Sequence, residues 1–374
     1  MTAISNDDRR DVRVVIVGGS LVGLCTAIAL ARRGARVTVL ERTPQGRYEG
    51  GGGLGVDVAL LAAVTDLTER PPVCWGRDRA TTAWPLLADW LEAQARRMDG
   101  IGLRRGADVV DTGDGWAQTA DGERYEADVV IGADGARSTV RRHVTPEHPD
   151  AIYAGYLLWR AMVPESDLPA EILPARDEPS REHYSGPYRL VTYPVPGADG
   201  SATRGHRRLN LVWYDPARND LLAAHGLLDG STVHGSLAAG DVPEPLRKEL
   251  RVVSAQNWPT PWREAMDVAL RDSLVFATPV AQYWPERLVS GRLALAGDAA
   301  HVATPMVGGG FRQGLYDVAA LSAAFTSQAD PAVALSLYQD ERLGDAREHV
   351  QRSIAASANY LDRATINEAQ GRKL

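Results

Sequence analysis

The stretch Val14-Val-Ile-Val-Gly-Gly-Ser-Leu-Val-Gly23 decides the fold, together with the segment Val37-Thr-Val-Leu-Glu-Arg42 that follows it. A hydrophobic strand runs into a glycine-rich turn, a helix follows, and a second strand ends at Glu41. This order places a pyrophosphate on the positive N-terminus of the helix and a ribose against the carboxylate. The sequence therefore predicts a dinucleotide-binding βαβ unit.

The glycine pattern of this turn is imperfect. Gly18 and Gly23 occupy the first and third positions, but Ser20 takes the second, where the backbone normally approaches the pyrophosphate closely. A serine hydroxyl can donate a hydrogen bond to a phosphate oxygen, so the pattern still favours a dinucleotide. The alternative is a tight strand-to-helix turn in an unrelated α/β fold. A second, literal match at Gly50–Gly55 follows no buried strand and is interpreted as a close-approach loop.

Composition excludes several classes of protein. The 374 residues are 44% hydrophobic and 24% charged, with a net charge of −7 and no Lys/Arg run, which argues against nucleic-acid binding. No window approaches the ~18 uninterrupted apolar residues of a membrane span, and the first dozen residues lack a signal-peptide core. Cys25 and Cys74 are the only cysteines. We therefore expect a cytoplasmic, disulfide-free protein with two domains and no metal site.

The chain alternates between two kinds of pattern. Helical periodicity is typical of four stretches: 21–33, 80–98, 311–327 and 332–361. A hairpin is predicted over 108–125 and buried strands over 127–133 and 293–296. Residues 151–278 favour antiparallel strands with one wet face, at 156–162, 188–195 and 208–214. The final dozen residues are polar and predicted to fray.

Two later motifs make the interpretation specific. Gly132-Ala-Asp-Gly-Ala-Arg-Ser-Thr-Val-Arg141 follows one buried strand. Gly297-Asp-Ala-Ala-His301 follows another and leads through Pro305-Met-Val-Gly-Gly-Gly310 into a helix. With the first turn, they resemble the group A flavin monooxygenases, the single-component FAD-dependent aromatic hydroxylases. Within that family, Trp159-Arg160 and the Gly-Gly-Ser turn resemble the 2,6-dihydroxypyridine 3-monooxygenase branch.

The resemblance implies an α/β fold: a Rossmann-like FAD-binding domain, a mostly antiparallel β-sheet substrate domain and a C-terminal helical segment. We expect residues 1–72, 98–150 and 279–374 to form the FAD-binding domain. Residues 73–97 and 151–278 are expected to form the substrate domain. The protein is expected to be a monomer or a homodimer.

The implied activity is hydroxylation of an aromatic or N-heteroaromatic molecule by O2, with NADPH or NADH as co-substrate, through a flavin C4a-hydroperoxide. Alternatives on the same scaffold are a flavin-dependent reductase or dehydrogenase, an epoxidase and a Baeyer–Villiger oxygenase. A non-enzymatic binding protein is a further alternative. The segment around Asp298 argues against it, because backbone N–H groups at the start of a helix stabilise negative charge on a flavin ring.

Two sets of site residues follow. Those expected to bind the cofactor are Gly18, Ser20, Leu21, Gly23, Glu41, Arg42, Gly53, Val109, Asp134, Asp298, Pro305, Gly308 and Gly310. Those expected to act on the substrate are Arg160, Tyr193, Tyr214 and His301, with His183 and Tyr184 as further candidates for a base. For Asp298 a helix cap is the alternative role, and His301 could simply hold the turn.

Two positions depart from the family pattern. Trp84 stands where many members carry an arginine that meets the FAD phosphates, and Arg42 could compensate. Arg312 replaces a residue that is often asparagine, two positions beyond Gly310. Contacts around the flavin pyrimidine are therefore left open.

Overall fold

The computed structural model describes residues 12–44, 52–75, 80–169, 181–216 and 218–371. The predicted glycine loop at 50–55 lies partly outside these ranges, although Gly53 is described. The helices are α1 (Leu21–Ala31), α2 (Val58–Thr65), α3 (Trp84–Arg96), α4 (Arg141–Val144), α5 (Asn219–Ala224), α6 (Glu244–Asn257), α7 (Trp262–Arg271), α8 (Gly310–Ser327) and α9 (Pro331–Gly371). None of the helices in these ranges has the length and apolar character needed to cross a bilayer.

The strands form two large sheets and two small ones. They are β1 (Arg13–Val17), β2 (Arg36–Glu41), β3 (Gly53–Val56), β4 (Cys74–Trp75), β5 (Ala80–Ala83), β6 (Ile101–Arg105), β7 (Val109–Gly113), β8 (Trp116–Thr119), β9 (Arg124–Glu126), β10 (Val129–Gly132), β11 (Ile152–Pro164), β12 (Arg181–Ser185), β13 (Tyr188–Val195), β14 (Arg208–Asp215), β15 (Leu228–Asp229), β16 (Thr232–Val233), β17 (Phe276–Gln282), β18 (Val289–Ser290) and β19 (Leu293–Leu295).

The first large sheet confirms the predicted βαβ unit. Its order is β18-β19-β10-β1-β2-β6, and every pair except β18–β19 is parallel. Val14 to Val17 of β1 are at most 4% exposed, because helices cover both faces of such a sheet. Helix α1 ends at Ala31, two residues before the predicted end, and Gly34 turns just beyond it with φ +89°. The carboxyl ends of β1, β10 and β19 meet at one edge, where ligands of this architecture bind.

The second large sheet is antiparallel, with the order β12-β13-β14-β11-β16-β15 and β17 added beside β11. The predicted strands are present, and β13 has the predicted bounds. The predicted wet face is wrong, because the unpredicted helices α6 and α7 cover it. Trp159 and Trp213 on that face pack in one cluster with Trp258 and Trp262 of the α6–α7 region.

The predicted helix over 80–98 begins four residues too early. Residues Ala80–Ala83 form β5, which pairs with β3 and β4, and the helix begins only at Trp84. Two β-branched threonines favour the strand, and Pro85 favours a helix start. Helix α3 then packs Leu87 and Leu91 into the cluster that holds α1.

Two further predictions need correction. The predicted hairpin at 108–125 is a three-stranded meander of β7, β8 and β9. The final dozen residues, predicted to fray, are helical in α9 as far as Gly371, the last residue that the structure describes. This helix links the two large sheets: the Tyr338 hydroxyl donates to the Leu295 carbonyl at 2.6 Å, and the Tyr360 hydroxyl donates to the Pro187 carbonyl at 3.0 Å.

Candidate active site

The glycines of the first turn are required by the backbone. Gly18 has φ +104°, and a Cβ there would overlap the carbonyl oxygen of Ala133, the residue after β10. A Cβ on Gly23 would overlap the carbonyl oxygen of Gly18, so only glycine lets α1 start this close to β1. The turn is held from the other side, where the Gly18 amide donates to the Leu40 carbonyl at 2.8 Å. These contacts fix a tight turn at the sheet edge.

The N-terminus of α1 is left without a side-chain cap. Ser20 is the N-cap residue, in an extended conformation, and its hydroxyl makes no capping hydrogen bond. Leu21 is the first helical residue and is buried. The amide groups of the first turn and the Ser20 hydroxyl are thus available to an anion, which the helix dipole also favours.

Glu41 at the end of β2 stabilises the Gly18 turn through hydrogen bonds. One carboxylate oxygen accepts from the Gly19 amide at 2.7 Å, and the other accepts from the Thr43 amide at 2.9 Å. Each oxygen keeps a further lone pair that could accept from ribose hydroxyls. Arg42 is exposed beside it. The carboxylate predicted to meet the ribose therefore also organises the pyrophosphate turn.

The second motif forms a capped turn after β10. Asp134 accepts from the Ser138 hydroxyl at 2.5 Å and from the amides of Thr139 and Val140 at 2.7 and 3.4 Å. Burial raises the pKa of Asp134, and these donors oppose that shift. The carboxylate holds the segment in shape beside the Gly18 turn.

Arg141 joins the second motif to the third. It is 1% exposed and donates to the carbonyls of Pro149 at 2.6 Å, of Ala299 at 3.0 Å and of Ala136. A longer bond of 3.3 Å reaches the carbonyl of Asp298. Sequence reasoning included Arg141 only as part of a motif, but the structure makes it the side chain that ties the two segments together.

Asp298 follows β19 in a short 3-10 turn, Gly297–Ala299. Its side chain is exposed, yet desolvation by the surrounding protein raises its pKa, opposed by His301 and Arg141. The sheet edge beside this exposed carboxyl group, here called the Asp298 cleft, is open to solvent. Within the described residues it makes no side-chain hydrogen bond, so its oxygens can accept from a ligand.

His301 does not face this cleft. It is 2% exposed, and its Nε2 lies 2.7 Å from the Asp317 carboxylate on α8. Asp317 also accepts from Arg342 Nε at 2.9 Å and from the Gly297 amide at 2.9 Å. Burial alone would lower the pKa of His301, but the Asp317 carboxylate raises it overall. The geometry supports the alternative role, in which His301 holds the turn.

The loop from Pro305 to Gly309, here called the 305–309 loop, leads into α8. Gly308 and Gly309 have φ +61° and +80°, values that favour glycine. A Cβ on Gly310 would meet no atom within 4 Å, so the helix starts in open space. Gly308 and Gly310 were singled out from the sequence, whereas Gly309, the N-cap of α8, was missed.

One face of the antiparallel sheet, here called the front face, is opposite the tryptophan-rich face. Strand alternation places Leu158, Arg160 and Met162 on it, as predicted, with Trp159 on the reverse. Pairing across β14 and β13 adds further members to this face, namely Asn210, Val212, Tyr214, Arg189, Val191 and Tyr193. His183 pairs with Leu190 and packs on Trp262, so it lies on the wrong face to act on a substrate.

Side chains of the front face lie against the backbone of Gly52 and Gly53. Asn210 accepts from the Gly53 amide at 2.8 Å, and Arg160 Nη2 donates to the Gly53 carbonyl at 3.3 Å. A Cβ on Gly53 would lie 2.8 Å from atoms of both Asn210 and Tyr193. The structure therefore brings Arg160, Tyr193 and Gly53 together, and it adds Asn210, which sequence reasoning missed. Alternation along β14 could have identified it.

The other end of the front face touches the 305–309 loop. Arg189 Nη1 lies 3.0 Å from the Met306 sulfur and its guanidinium is 4.7 Å from the centre of the Tyr214 ring. Tyr214 is 3% exposed, packs near Tyr156 and Tyr360, and has a raised pKa because of burial. This end of the front face is therefore lined by buried tyrosine rings. Val109, which was expected to bind the cofactor, lies away from this face and is buried in the core of the parallel-sheet region.

Comparison with known proteins identifies the class. Residues 13–50 match the family model described as pyridine nucleotide-disulphide oxidoreductase, residues 153–275 match "FAD binding domain-like" and residues 268–353 match "FAD binding domain". A solved structure of 2,6-dihydroxypyridine-3-hydroxylase from Arthrobacter nicotinovorans has the same fold, with a TM-score of 0.80 and 21% identity, over 95% of this chain and 94% of that one.

Two curated relatives align along most of their length. 3-Amino-4-hydroxybenzoate 2-monooxygenase of Streptomyces cremeus is 30% identical over 89% of this chain and 84% of that protein. 2,6-Dihydroxypyridine 3-monooxygenase of Paenarthrobacter nicotinovorans is 25% identical over 91% of this chain and 89% of that protein. The chain belongs to the group A FAD-dependent monooxygenases. The predicted family, fold class and FAD cofactor are thereby confirmed.

Proposed function

We propose that this monooxygenase uses NADPH or NADH and O2 to hydroxylate a small aromatic or N-heteroaromatic molecule that already carries a ring hydroxyl. The observation that carries the proposal is the meeting of the front face with the 305–309 loop at Arg189 and Met306. We infer that the substrate binds between this face, with its aromatic and cationic side chains, and the 305–309 loop. The relatives named for dihydroxypyridine and aminohydroxybenzoate support the substrate class.

The residues at the sheet edge fit FAD. We assign the pyrophosphate to the α1 N-terminus with Gly18, Ser20, Leu21 and Gly23, because the turn is tight and uncapped. We further assign the ribose to Glu41, the phosphate charge to Arg42, the ribityl chain to Asp298 and the adenine side to Val109. Asp134 holds the second motif in shape, and we assign that motif to FAD and the nicotinamide. The flavin ring is assigned to Gly53, Pro305, Gly308 and Gly310. Most of these groups are backbone amides, free carboxylate oxygens or glycines, as a long polar ligand requires.

Bound FAD supplies the electron transfer and the activation of O2. The protein positions the reactants and excludes water from them. Leu158, Val191 and Val212 on the front face are apolar and buried, so they keep water from the reacting ring. The protein must also orient the substrate hydroxyl and favour its deprotonation. Arg160 can stabilise an oxyanion through its charge, and Tyr193 can exchange a proton through its hydroxyl.

The four residues expected to act on the substrate fall into two groups. Arg160 and Tyr193 lie together at the Gly53 end of the front face, and we assign them to substrate contact with Asn210. Tyr214 is buried among other tyrosines, and its raised pKa makes it a wall of the cavity rather than a base. We assign His301 a positioning role through Asp317.

We retain the proposed division into an FAD-binding domain of residues 1–72, 98–150 and 279–374 and a substrate domain of 73–97 and 151–278. The contact of α9 with both large sheets makes the C-terminal segment a connection between them. Helix α3, within 73–97, shares a core cluster with α1 of the FAD-binding side.

The proposal is tested by a screen of purified holoenzyme against hydroxylated pyridines, phenols and hydroxybenzoates. NADPH and NADH oxidation and hydrogen peroxide are measured together. We expect one substrate class to accelerate nicotinamide oxidation while little peroxide appears. Acceleration with peroxide in equal amount, and no hydroxylated product, would instead indicate a reductase. Product masses separate ring hydroxylation from epoxidation or Baeyer–Villiger insertion.

A further inference from the structure

The start of α8 carries an unusual charge. Anionic side chains are favoured in the first turn of a helix, but this turn contains no acid and has Arg312 as its third residue. Arg312 is exposed and, among the described residues, has neither a hydrogen bond nor an ion pair. Its guanidinium lies beside the N-cap: Nη2 is 3.5 Å from the position that a Cβ on Gly309 would occupy. A free cation therefore adds to the positive end of the helix dipole.

A second side chain approaches the same point from α9. The Cε1 atom of His349 lies 3.8 Å from the same Cβ position on Gly309. His349 is 4% exposed, and its Nε2 is buried without a hydrogen-bond partner. A buried polar group without a partner is rare in a complete site and is explained when a ligand supplies the partner. The N-cap of α8 is thus flanked by one free cation and one unsatisfied imidazole.

The charged groups that act on His349 are cationic. His349 has its pKa lowered to about 4 by burial and by the neighbouring His301, Arg352, Arg312 and Arg342. The buried carboxylate of Asp317 is already engaged by His301, Arg342 and the Gly297 amide. Two other acids near these cations, Asp345 and Glu348, are exposed and pair with Arg342 and Arg352. The arrangement lacks an anion at the 305–309 loop.

We propose that Arg312, supported by His349, is the counter-charge that this chain places beside the pyrimidine ring of bound FAD, where it stabilises the negative charge that the ring gains on reduction. The inference rests on FAD lying along the 305–309 loop, as assigned above. It concerns the cofactor and not the substrate, so it holds whichever aromatic compound is oxidised. The uncapped amides of α8 and the Arg312 guanidinium would act on the same charge.

Sulfite tests the inference without turnover. Its sulfur donates an electron pair to N5 of oxidised flavin, and the resulting negative charge spreads over the pyrimidine ring. The dissociation constant of this adduct, followed by the loss of flavin absorbance, therefore reports the counter-charge. We expect Arg312→Gln to raise the sulfite Kd at least tenfold, and to lower the two-electron reduction potential by the equivalent ~30 mV. Arg312→Lys should stay within about threefold of the parent protein, because it keeps the charge.

Arg271→Gln is the matched control, since it removes one exposed arginine from α7 on the substrate side and should leave the sulfite Kd unchanged. All titrations use protein saturated with FAD, and circular dichroism checks the fold. An unchanged sulfite Kd in FAD-loaded Arg312→Gln would overturn the inference. This holds even if KM for NADPH rises in that variant, because Arg312 would then act on the nicotinamide and not on the flavin. Failure of the parent protein to bind FAD would instead contradict the assigned FAD site. His349→Leu, expected to raise the sulfite Kd about threefold, gives a second measurement at the same point.

Discussion

The two large sheets present their candidate ligand-binding groups in different ways. At the edge of the parallel sheet the groups proposed to bind FAD are largely backbone: the tight turn at Gly18, the uncapped start of α1 and the start of α8. On the antiparallel sheet the groups proposed to contact the substrate are side chains of one face, such as Arg160 and Asn210. Backbone geometry demands particular residue types at fixed spacing, whereas a sheet face accepts many side chains. The first region can therefore keep one cofactor while the second varies with the substrate.

The regions also differ in how their charges are balanced. Behind the FAD cleft, Asp317 is completely buried and balances two partners, His301 and Arg342. On the front face, Arg189 pairs with a half-exposed Glu182, and Arg160 donates to a backbone carbonyl. Removing a partner is therefore expected to damage stability in the first region and specificity in the second.

The largest effect on cofactor binding is expected at the first turn. Gly23→Ala places a methyl group against the Gly18 carbonyl and should weaken FAD binding by more than 100-fold, about 3 kcal/mol. Equilibrium titration of apoprotein with FAD measures this directly. Gly344→Ala in α9, where a Cβ meets no atom within 4 Å, is the control and should bind FAD normally. Equal FAD affinity in both variants would mean that the turn does not carry the pyrophosphate.

Next comes the buried charge cluster. Asp317→Ala leaves His301 and Arg342 without their carboxylate, and it should lower the free energy of unfolding by about 3–5 kcal/mol in urea. Asp345→Ala removes an exposed carboxylate that pairs with the same Arg342. It should lower the free energy of unfolding by less than about 0.5 kcal/mol. If the two variants lost similar stability, the cluster would not be the anchor of the 297–301 turn.

Adjacent residues on opposite faces of β11 sharpen the comparison. Arg160→Met removes a front-face cation and should lower kcat/KM for the aromatic substrate about 100-fold, roughly 2.7 kcal/mol, with FAD content unchanged. Trp159→Phe removes the hydrogen bond to Asp215 at 2.9 Å on the reverse face and should cost about 1–2 kcal/mol of stability instead. Its kcat/KM should stay within about threefold. If Arg160→Met instead lost stability and Trp159→Phe lost kcat/KM, the assignment of the two faces would be reversed.

The smallest effect concerns pH. Burial and neighbouring cations lower the pKa of His349 to about 4, below the usual value of ~6.5, so the unfolded chain binds more protons between these values. The stability that this group contributes is full above pH 6.5 and falls as the pH drops towards 4. His349→Leu should remove that part of the pH dependence, measured as the difference from the parent protein in urea. His148→Gln, an exposed control, should not change it.

Prediction from sequence succeeded where local chemistry is restrictive. The Gly18 turn, the strand ending at Glu41 and the motif around Asp298 each combine a buried strand with residues that only a close turn tolerates. Gly309 escaped notice because three consecutive glycines gave no basis for choosing among them. The beginning of α3 was misplaced because Ala80–Ala83 fits helical spacing equally well, and its pairing with β3 comes from a distant segment.

Contacts between distant segments could not be predicted. The partners His301 and Asp317 are separated by a turn and the start of a helix, so no spacing rule joins them. One face of the antiparallel sheet was predicted to be wet because α6 and α7, which cover the reverse face, were not recognised. His183 was a reasonable candidate by composition, and only strand pairing with Leu190 excludes it. Which face of a sheet is functional depends on what packs against the other.

The most direct test of the central claim is the origin of the oxygen in the product. Purified FAD-loaded enzyme is incubated with a reduced nicotinamide, the best substrate of the screen and oxygen-18 gas in ordinary water. A monooxygenase built as described here transfers one atom of the gas to the ring, so the product should be heavier by the mass of one labelled oxygen. An unlabelled product, or FAD reduction without any new oxygen in the product, would contradict it.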